Sequence, residues 1–375
     1  MLNNKLINAR RVVVKLGSNV ITAENSLNLQ VIESISSQIC TLMDRGIEVI
    51  LVSSGAMAAG LRKMEMGRRP DEIPKRQAIS AIGQSGLMNA YEKSFARCDK
   101  KVAQILLTGD DLNDRIRYLN ARNTVNTLID WKVMPVINEN DTIMVEEIKL
   151  GDNDNLAAMI TLLMDADFLF ILTDIDGLYD KDPRNYSNAK LISKVSDFKK
   201  EIEEFASHIP GTLGTGGMLS KIQAARKVTS AGIPMIVARG NADNVLLKLF
   251  EGVDIGTYFV PKKKKMASRK CWIAHTLAPK GSIIIDEGAV LAVRQHGKSL
   301  LPIGVIKVEG HFEEGAAVSF KADDGKIIGT GLVNYRSFDI NLIKGLKTNQ
   351  IEACLGDKHY DEIIHRDNLA LRDDC

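Results

Sequence analysis

RVVVKLGSNVITAENSLNLQVIESISSQICTLMDRGIEVILVSS, residues 11–54, decides the fold class. VVVKL at 12–16 reads as a buried strand. Leu29, Ile32, Ile35, Ile39 and Leu42 then recur at spacings of three and four, which predicts one apolar helix face, and Gly46 suits its C-terminal cap. VILVSS at 49–54 is the next strand. Strand, helix and strand in this order make the unit of a parallel sheet covered by helices, so the class is α/β.

The alternation continues outward from this unit. Pro74 at a helix start, followed by Ala78, Ala81, Ile82 and Leu87, predicts a second helix, and VAQILL at 102–107 a further strand. VMPVIN at 133–138, FLFILT at 168–173 and IPMIVA at 233–238 continue the series. It stops at PKKKKMASRK, 261–270, a basic polar stretch that reads as a solvated linker. Beyond it, SIIID, AVLAV, GVIKV, AAVSF and KIIGTGLV lie between Gly, Asp-Glu and Asp-Gly turns, the pattern of a small β-rich domain. The expected domains are 1–260 and 276–375, in keeping with a chain of 375 residues.

Composition removes several classes of function. A balance of 49 basic against 47 acidic residues is too even to hold a nucleic acid or an anionic membrane by long-range charge. Residues 268–375 carry 14 Lys or Arg against 15 Asp or Glu, which argues against RNA as a partner of the second domain. No stretch has the length of a membrane span and the N-terminus has no signal-peptide pattern, so a cytoplasmic location without membrane attachment is expected. Five cysteines without a CxxC and six histidines without an HExxH indicate neither a disulfide framework nor a transition-metal site.

Four strand-to-loop junctions carry polar residues that core packing does not need, and open α/β sheets bind ligands at the carboxyl ends of their strands. In VVVKLGSN, Lys15 ends a strand and Gly17 permits a tight turn. In LVSSGAMAAG, Ser53, Ser54 and Gly55 precede a helix and suit a carboxylate. In VINENDTIMVEEIKLGDNDNLAAMI, Asn138, Asn140 and Asp141 follow a strand, and Asp152, Asn153 and Asp154 open a helix with Leu156, Met159, Ile160 and Leu163 on its inner face. GTLGTGGMLSKIQAARK, 211–227, leads four glycines into a helix that carries Ser220 and Lys221 in its first turns. A lysine there is locally unfavourable unless an anion sits beside it. The loop is neither a Walker A sequence nor GxGxxG, which disfavours P-loop and Rossmann readings.

KLGSNV, LVSSGAMAAG, INENDT, GDNDNLAA, ILTDIDGLYDKDPR and GTGGMLSK, in this order, resemble the amino-acid kinase family over residues 10–260, and within it the kinases that act on glutamate. The region 276–366, with GKSLLPIGVIKVEGHFEEGAAVSF, GLVNYRS and DEIIHRDNL, resembles the PUA domain that follows many bacterial members. The resemblance implies a three-layer α/β/α sandwich and ATP-dependent phosphorylation of the L-glutamate side-chain carboxylate to L-glutamyl 5-phosphate, the first step of proline biosynthesis. By motif it assigns Lys15 and Lys221 to the ATP phosphates. Thr173, Asp174, Thr215, Gly216, Gly217, Met218, Leu219, Ser220 and Lys221 line the nucleotide pocket, and Ser54, Asp141 and Asn153 bind glutamate. Asp154 is assigned to orienting the lysines or a Mg²⁺ ion. Leu219 stands where relatives carry a small or polar residue. Proline as feedback inhibitor, a homo-oligomer and hand-over of the product to glutamyl phosphate reductase are further implications.

The chemistry agrees with the residue types. A glutamate side chain titrates near about 4.3 and is already an anion at neutral pH, so attack on a phosphoryl group needs no general base. The difficulty is repulsion between two anions, which lysines and Mg²⁺ relieve. Another kinase of the same family, acting on aspartate, acetylglutamate, carbamate or a nucleotide, is the nearest rival; an amino-acid sensor would lack Lys15 or Lys221.

Overall fold

The computed structural model describes residues 6, 8–23, 26–143, 153–198, 217–262, 268–275 and 277–372. The chain divides into two compact units, Met1–Lys263 and Lys264–Cys375.

In the first unit, strand β1 (Arg11–Leu16) is followed by a short helix α1 (Ser18–Ile21), helix α2 (Leu29–Asp44) and strand β2 (Glu48–Val52). Then come α3 (Ala56–Lys63), α4 (Ile73–Ala96), β3 (Val102–Leu107), α5 (Gly109–Asn113), α6 (Arg115–Asp130), β4 (Met134–Glu139), α7 (Asn153–Leu163) and β5 (Phe168–Thr173). The unit ends with β6 (Lys194–Val195), α8 (Met218–Ser230), β7 (Met235–Arg239), α9 (Val245–Phe250) and β8 (Thr257–Phe259). The eight strands form one sheet in the order β3-β4-β2-β1-β5-β7-β8-β6. Neighbours are parallel except β7 and β8.

Alternation along β1 divides the sheet into its two faces. Val12, Val14 and Leu16 join a buried cluster with Ile32, Ile35 and Ile39 of α2, Leu87, Tyr91 and Phe95 of α4, and Val245, Leu246 and Leu249 of α9. Val13 and Lys15 therefore point to the opposite face, where Lys15 meets α7. Helix α8 packs on α7, which completes the α/β/α layering. Strands covered on both faces are apolar throughout: β5 is buried from Phe168 to Thr173. Asn28 caps α2 by accepting from the Val31 N–H at 3.3 Å, and Gly46, at φ +84°, closes the turn behind it.

Two local expectations are corrected. Helix α4 forms, but its buried face is Ile79, Ser80, Gly83, Gln84 and Leu87, whereas Ala78 and Ala81 are exposed. The reason is glycine contact with α3. A Cβ on Gly83 would fall 1.8 Å from the Ala56 carbonyl oxygen, and one on Gly60 would fall 2.0 Å from that of Ile79. Backbones this close select the glycine face over the alanine face. On α2, Leu29 is 58% exposed, so the apolar stripe begins at Ile32.

Gly83→Ala is accordingly expected to lower unfolding stability by about 2–3 kcal/mol, the upper range for overpacking, although alanine is the better helix former by about 1 kcal/mol. Urea unfolding checks this. A midpoint equal to or above that of the parent would mean that the two helices separate without cost.

The second unit has α10 (Ser268–His275), β9 (Ser282–Ile285), α11 (Glu287–His296), β10 (Val305–Glu309), β11 (Ala317–Ala322), β12 (Ile327–Leu332), α12 (Ser337–Ile343), α13 (Ile351–Leu355) and β13 (Leu369–Leu371). Its sheet runs β10-β9-β11-β12-β13 around a core that includes Ile283, Val318, Phe320 and Ile364. AVLAV, expected as a strand, lies within α11. Asp286 caps that helix by accepting from the Ala289 N–H at 2.7 Å, and of the apolar run Val293 is the residue fully buried.

Candidate active site

The carboxyl ends of β1, β2, β4 and β5 adjoin in the sheet, and each delivers polar groups to one edge. After β1, the Gly17 N–H donates to the Leu172 carbonyl at 2.9 Å, which ties the turn to β5. A Cβ on Gly17 would lie 3.3 Å from that oxygen and 3.9 Å from Lys15 Nζ, so the turn hugs the lysine tip. After β2, Gly55 takes φ +90°, a conformation that favours glycine, and opens α3.

Asp154 is the centre of the charged cluster. It sits in the first turn of α7 with no exposed surface. Lys15 Nζ pairs with its Oδ1, Lys221 Nζ donates to Oδ2 at 2.9 Å, and Ser220 Oγ donates to Oδ2 at 2.8 Å. Lys15 is 4% and Lys221 5% exposed. Burial opposes ionisation of the carboxyl, yet the two ammonium groups outweigh it and hold Asp154 well below the usual carboxylate range. Two cations on one anion leave a buried excess of one positive charge. Lys221 thus meets an anion near the start of α8, as its position there requires.

A second cluster is built from amides. Asn153, next to Asp154, donates from Nδ2 to Ser54 Oγ at 2.9 Å and to Asn138 Oδ1 at 3.2 Å. Asn138, at the end of β4, donates from Nδ2 to Gln84 Oε1 at 2.9 Å. Ser53 shares a 2.7 Å hydrogen bond with the Tyr91 hydroxyl, which turns it toward the core and leaves Ser54 as the serine of the site.

Asp141 is not joined to Ser54 or Asn153 among the described residues. It hydrogen-bonds Ser80 and faces Arg69; burial raises its pKa, which these two neighbours oppose. It lines a cavity of about 90 Å³ with Arg69, Arg76, Gln77 and Ser80. On the other side of the edge, Thr173 Oγ1 donates to Asp174 Oδ1 at 3.0 Å and Asn19 Nδ2 to Asp174 Oδ2 at 2.9 Å. Burial disfavours the Asp174 anion, but these donors and the Lys221 charge lower its pKa.

The structure therefore assembles Lys15, Asp154, Ser220 and Lys221 in one cluster, Ser54 with Asn153 in a second, and Thr173 with Asp174 in a third. Met218 is buried and Leu219 is 39% exposed. Thr215 and Gly216 lie outside the described residues. Gln84 and Asn19 are polar partners that sequence reasoning did not single out. The signal for Gln84 was present as Ser80 and Gln84, four apart and therefore on one face of a helix. Among the described residues, no group of three His, Cys, Asp or Glu side chains is placed to hold a metal ion, and no helix is long and apolar enough to cross a membrane.

The sequence pattern of the Amino acid kinase family matches residues 10–239, and that of the PUA domain residues 281–355. The chain is 50% identical over 362 residues to the glutamate 5-kinase of Thermoanaerobacter sp. (strain X514), covering 96% of this chain and 97% of that one. It is 48% identical over 372 residues to the glutamate 5-kinase of Geobacter sulfurreducens, covering 99% and 100%. Among solved structures, carbamate kinase from Giardia lamblia bound to AMP-PNP aligns with 68% of this chain and all of that one, at 17% identity and a TM-score of 0.48.

Proposed function

The chain belongs to the amino acid kinase family, in its glutamate 5-kinase branch, and from that membership we propose that the lysine and amide clusters together transfer a phosphoryl group from ATP to the side-chain carboxylate of glutamate. The observation that carries this reading is the buried Lys15–Asp154–Lys221 triad with its one excess positive charge. Glutamate arrives already ionised, so the site needs no base; it needs fixed positive charge where two anions meet. Asp154 holds both ammonium groups in place, so that no reorganisation is needed when charge builds on the transferred oxygens. The product is L-glutamyl 5-phosphate, and the reaction is the first step of proline biosynthesis.

Lys15 and Lys221 take the phosphates, and Gly217 to Ser220, with Thr173 and Asp174, border the nucleotide. Thr215 and Gly216 belong to the same proposed loop. Ser54 and Asn153 take glutamate. If Mg²⁺ accompanies ATP, Asp174, a carboxylate with acceptor capacity to spare, would be the residue that holds it. Bound there it would neutralise phosphate charge. Asp154, with its oxygens engaged by two lysines and a serine, fits the role of orienting the lysines. Feedback inhibition by proline, homo-oligomeric assembly, hand-over of the labile acyl phosphate to glutamyl phosphate reductase and a cytoplasmic location are part of the same proposal.

ADP release measured over glutamate, aspartate, acetylglutamate, carbamate and a nucleoside monophosphate tests the reading. Turnover confined to glutamate is expected; preference for any other acceptor would move the chain to a different branch. For Asp141, proposed to face the α-ammonium, Asp141→Asn should raise the glutamate KM roughly 10- to 100-fold and leave the ATP KM near its parent value. Equal effects on both would make Asp141 an organiser of the loop instead.

A further inference from the structure

Helix α4 turns Ser80 and Gln84 toward the carboxyl edge, and both are buried. Ser80 holds Asp141. Gln84 is 9% exposed, and its Oε1 accepts from Asn138 Nδ2. Its Nε2 is buried without a hydrogen-bond partner among the described residues, and so is Asn153 Oδ1.

One group that can only donate dictates how these amides face. The Glu139 N–H donates at 2.9 Å to the Asn138 side chain, so the atom it meets is oxygen. The other end of Asn138 is then nitrogen, and the Gln84 atom facing it must be oxygen. That leaves the Gln84 nitrogen, with two hydrogens, as the open end. Asn153 spends both its hydrogens, one on that same Asn138 oxygen and one on Ser54 Oγ, so its oxygen is the other open end. The chain of amides terminates in a donor and an acceptor, each desolvated and unpaired, which costs stability unless a ligand completes it.

Strand order says what end of a ligand this is. Neighbouring strands lie ~4.8 Å apart, so β4, which carries Asn138, is roughly 10 Å from β1, which carries Lys15. A glutamate whose side-chain carboxylate meets the lysines extends its α-carbon end toward β4 and α4. We infer that Gln84 is a substrate-binding residue that donates from Nε2 to the α-carboxylate of the amino-acid substrate. The inference rests on the proposed glutamate kinase activity.

Two substitutions test it in the full-length protein. Gln84→Glu keeps an oxygen for Asn138 and replaces the open donor with an anionic oxygen facing a carboxylate. Gln84→Met keeps length and helix propensity and removes the donor. The glutamate KM should rise about 10- to 100-fold in Gln84→Glu and about 10-fold in Gln84→Met, with kcat and the ATP KM within about twofold of the parent. If Gln84→Glu does not fold, Gln84→Met decides alone. A glutamate KM unchanged in the folded variants overturns the inference, and so does a parallel rise in both KM values with a lowered melting temperature, which would mark a purely structural amide. A parent protein that phosphorylates no glutamate would instead bring down the functional reading, and this inference with it.

Discussion

Lys221→Ala is expected to lower kcat by about 10²- to 10³-fold, the loss seen when one pre-organised charge-stabilising group is removed, with little change in the glutamate KM. The parent triad holds two ammonium groups on one carboxylate, and the variant holds one on one, so the buried excess of positive charge disappears. Lys15 still pairs with Asp154, so the fold keeps a neutral buried pair and should survive. In the proposed reading glutamate binds at the amide cluster, which Lys221 does not touch among the contacts described. Lys221→Arg should not restore the rate, because a planar fork cannot take the place of a compact ammonium in a buried site. Steady-state ADP release with a urea melt alongside decides the matter. A near-parental kcat in the folded alanine variant would remove the assigned role.

Asp154→Asn should reduce stability by about 3–5 kcal/mol at neutral pH, the cost of leaving buried charge without its partner. Here two ammonium groups, each about nine-tenths buried or more, lose their shared counter-ion. The pH dependence carries a definite sign. The folded-state pKa of Asp154 is depressed, so its contribution is complete above the unfolded carboxyl value of about 3.9 and is lost as pH falls toward the folded value. The gap between parent and variant should therefore narrow below about pH 4, by about 1.4 kcal/mol per pH unit, and stay constant between about pH 5 and 8. Urea midpoints across that range provide the check. A variant as stable as the parent at neutral pH would mean that the lysines find other partners or shed their protons cheaply, and the electrostatic account of the site would have to be abandoned. Activity should fall as well, since the carboxylate that Lys15 and Lys221 share would be gone.

The parts of the site that were legible in sequence are those where residue type alone announces a cost. Lys221 near a helix start is in an unfavourable position without an anion, and Asp154 supplies it; Lys15, at the end of a strand, was named from its motif and meets the same carboxylate. Ser54 and Asn153 were named from their motifs, and they meet at 2.9 Å. Gln84 was not named, because a single glutamine in an amphipathic helix carries no cost that can be seen locally. Its meaning lies in Asn138, 54 residues away.

Sequence by itself determined the element types of the first unit. Strand 168–173 is buried along its whole length and apolar up to Thr173 because helices cover both faces, and 12–14 repeats this before the strand ends at Lys15 and Leu16; that pattern is local. Only the tertiary structure decided which face of α4 is buried, since the choice depends on how closely α3 approaches Gly83. It also decided that AVLAV is helical, because a run of five apolar residues fits either period until the Asp286 cap and the packing of Val293 select one. The convergence of Lys15, Asp154 and Lys221 belongs to the same class. Residues 139 and 67 positions apart meet because β1, α7 and α8 are stacked by the layering of the sheet, and the low dielectric of that interior is what gives their charges force.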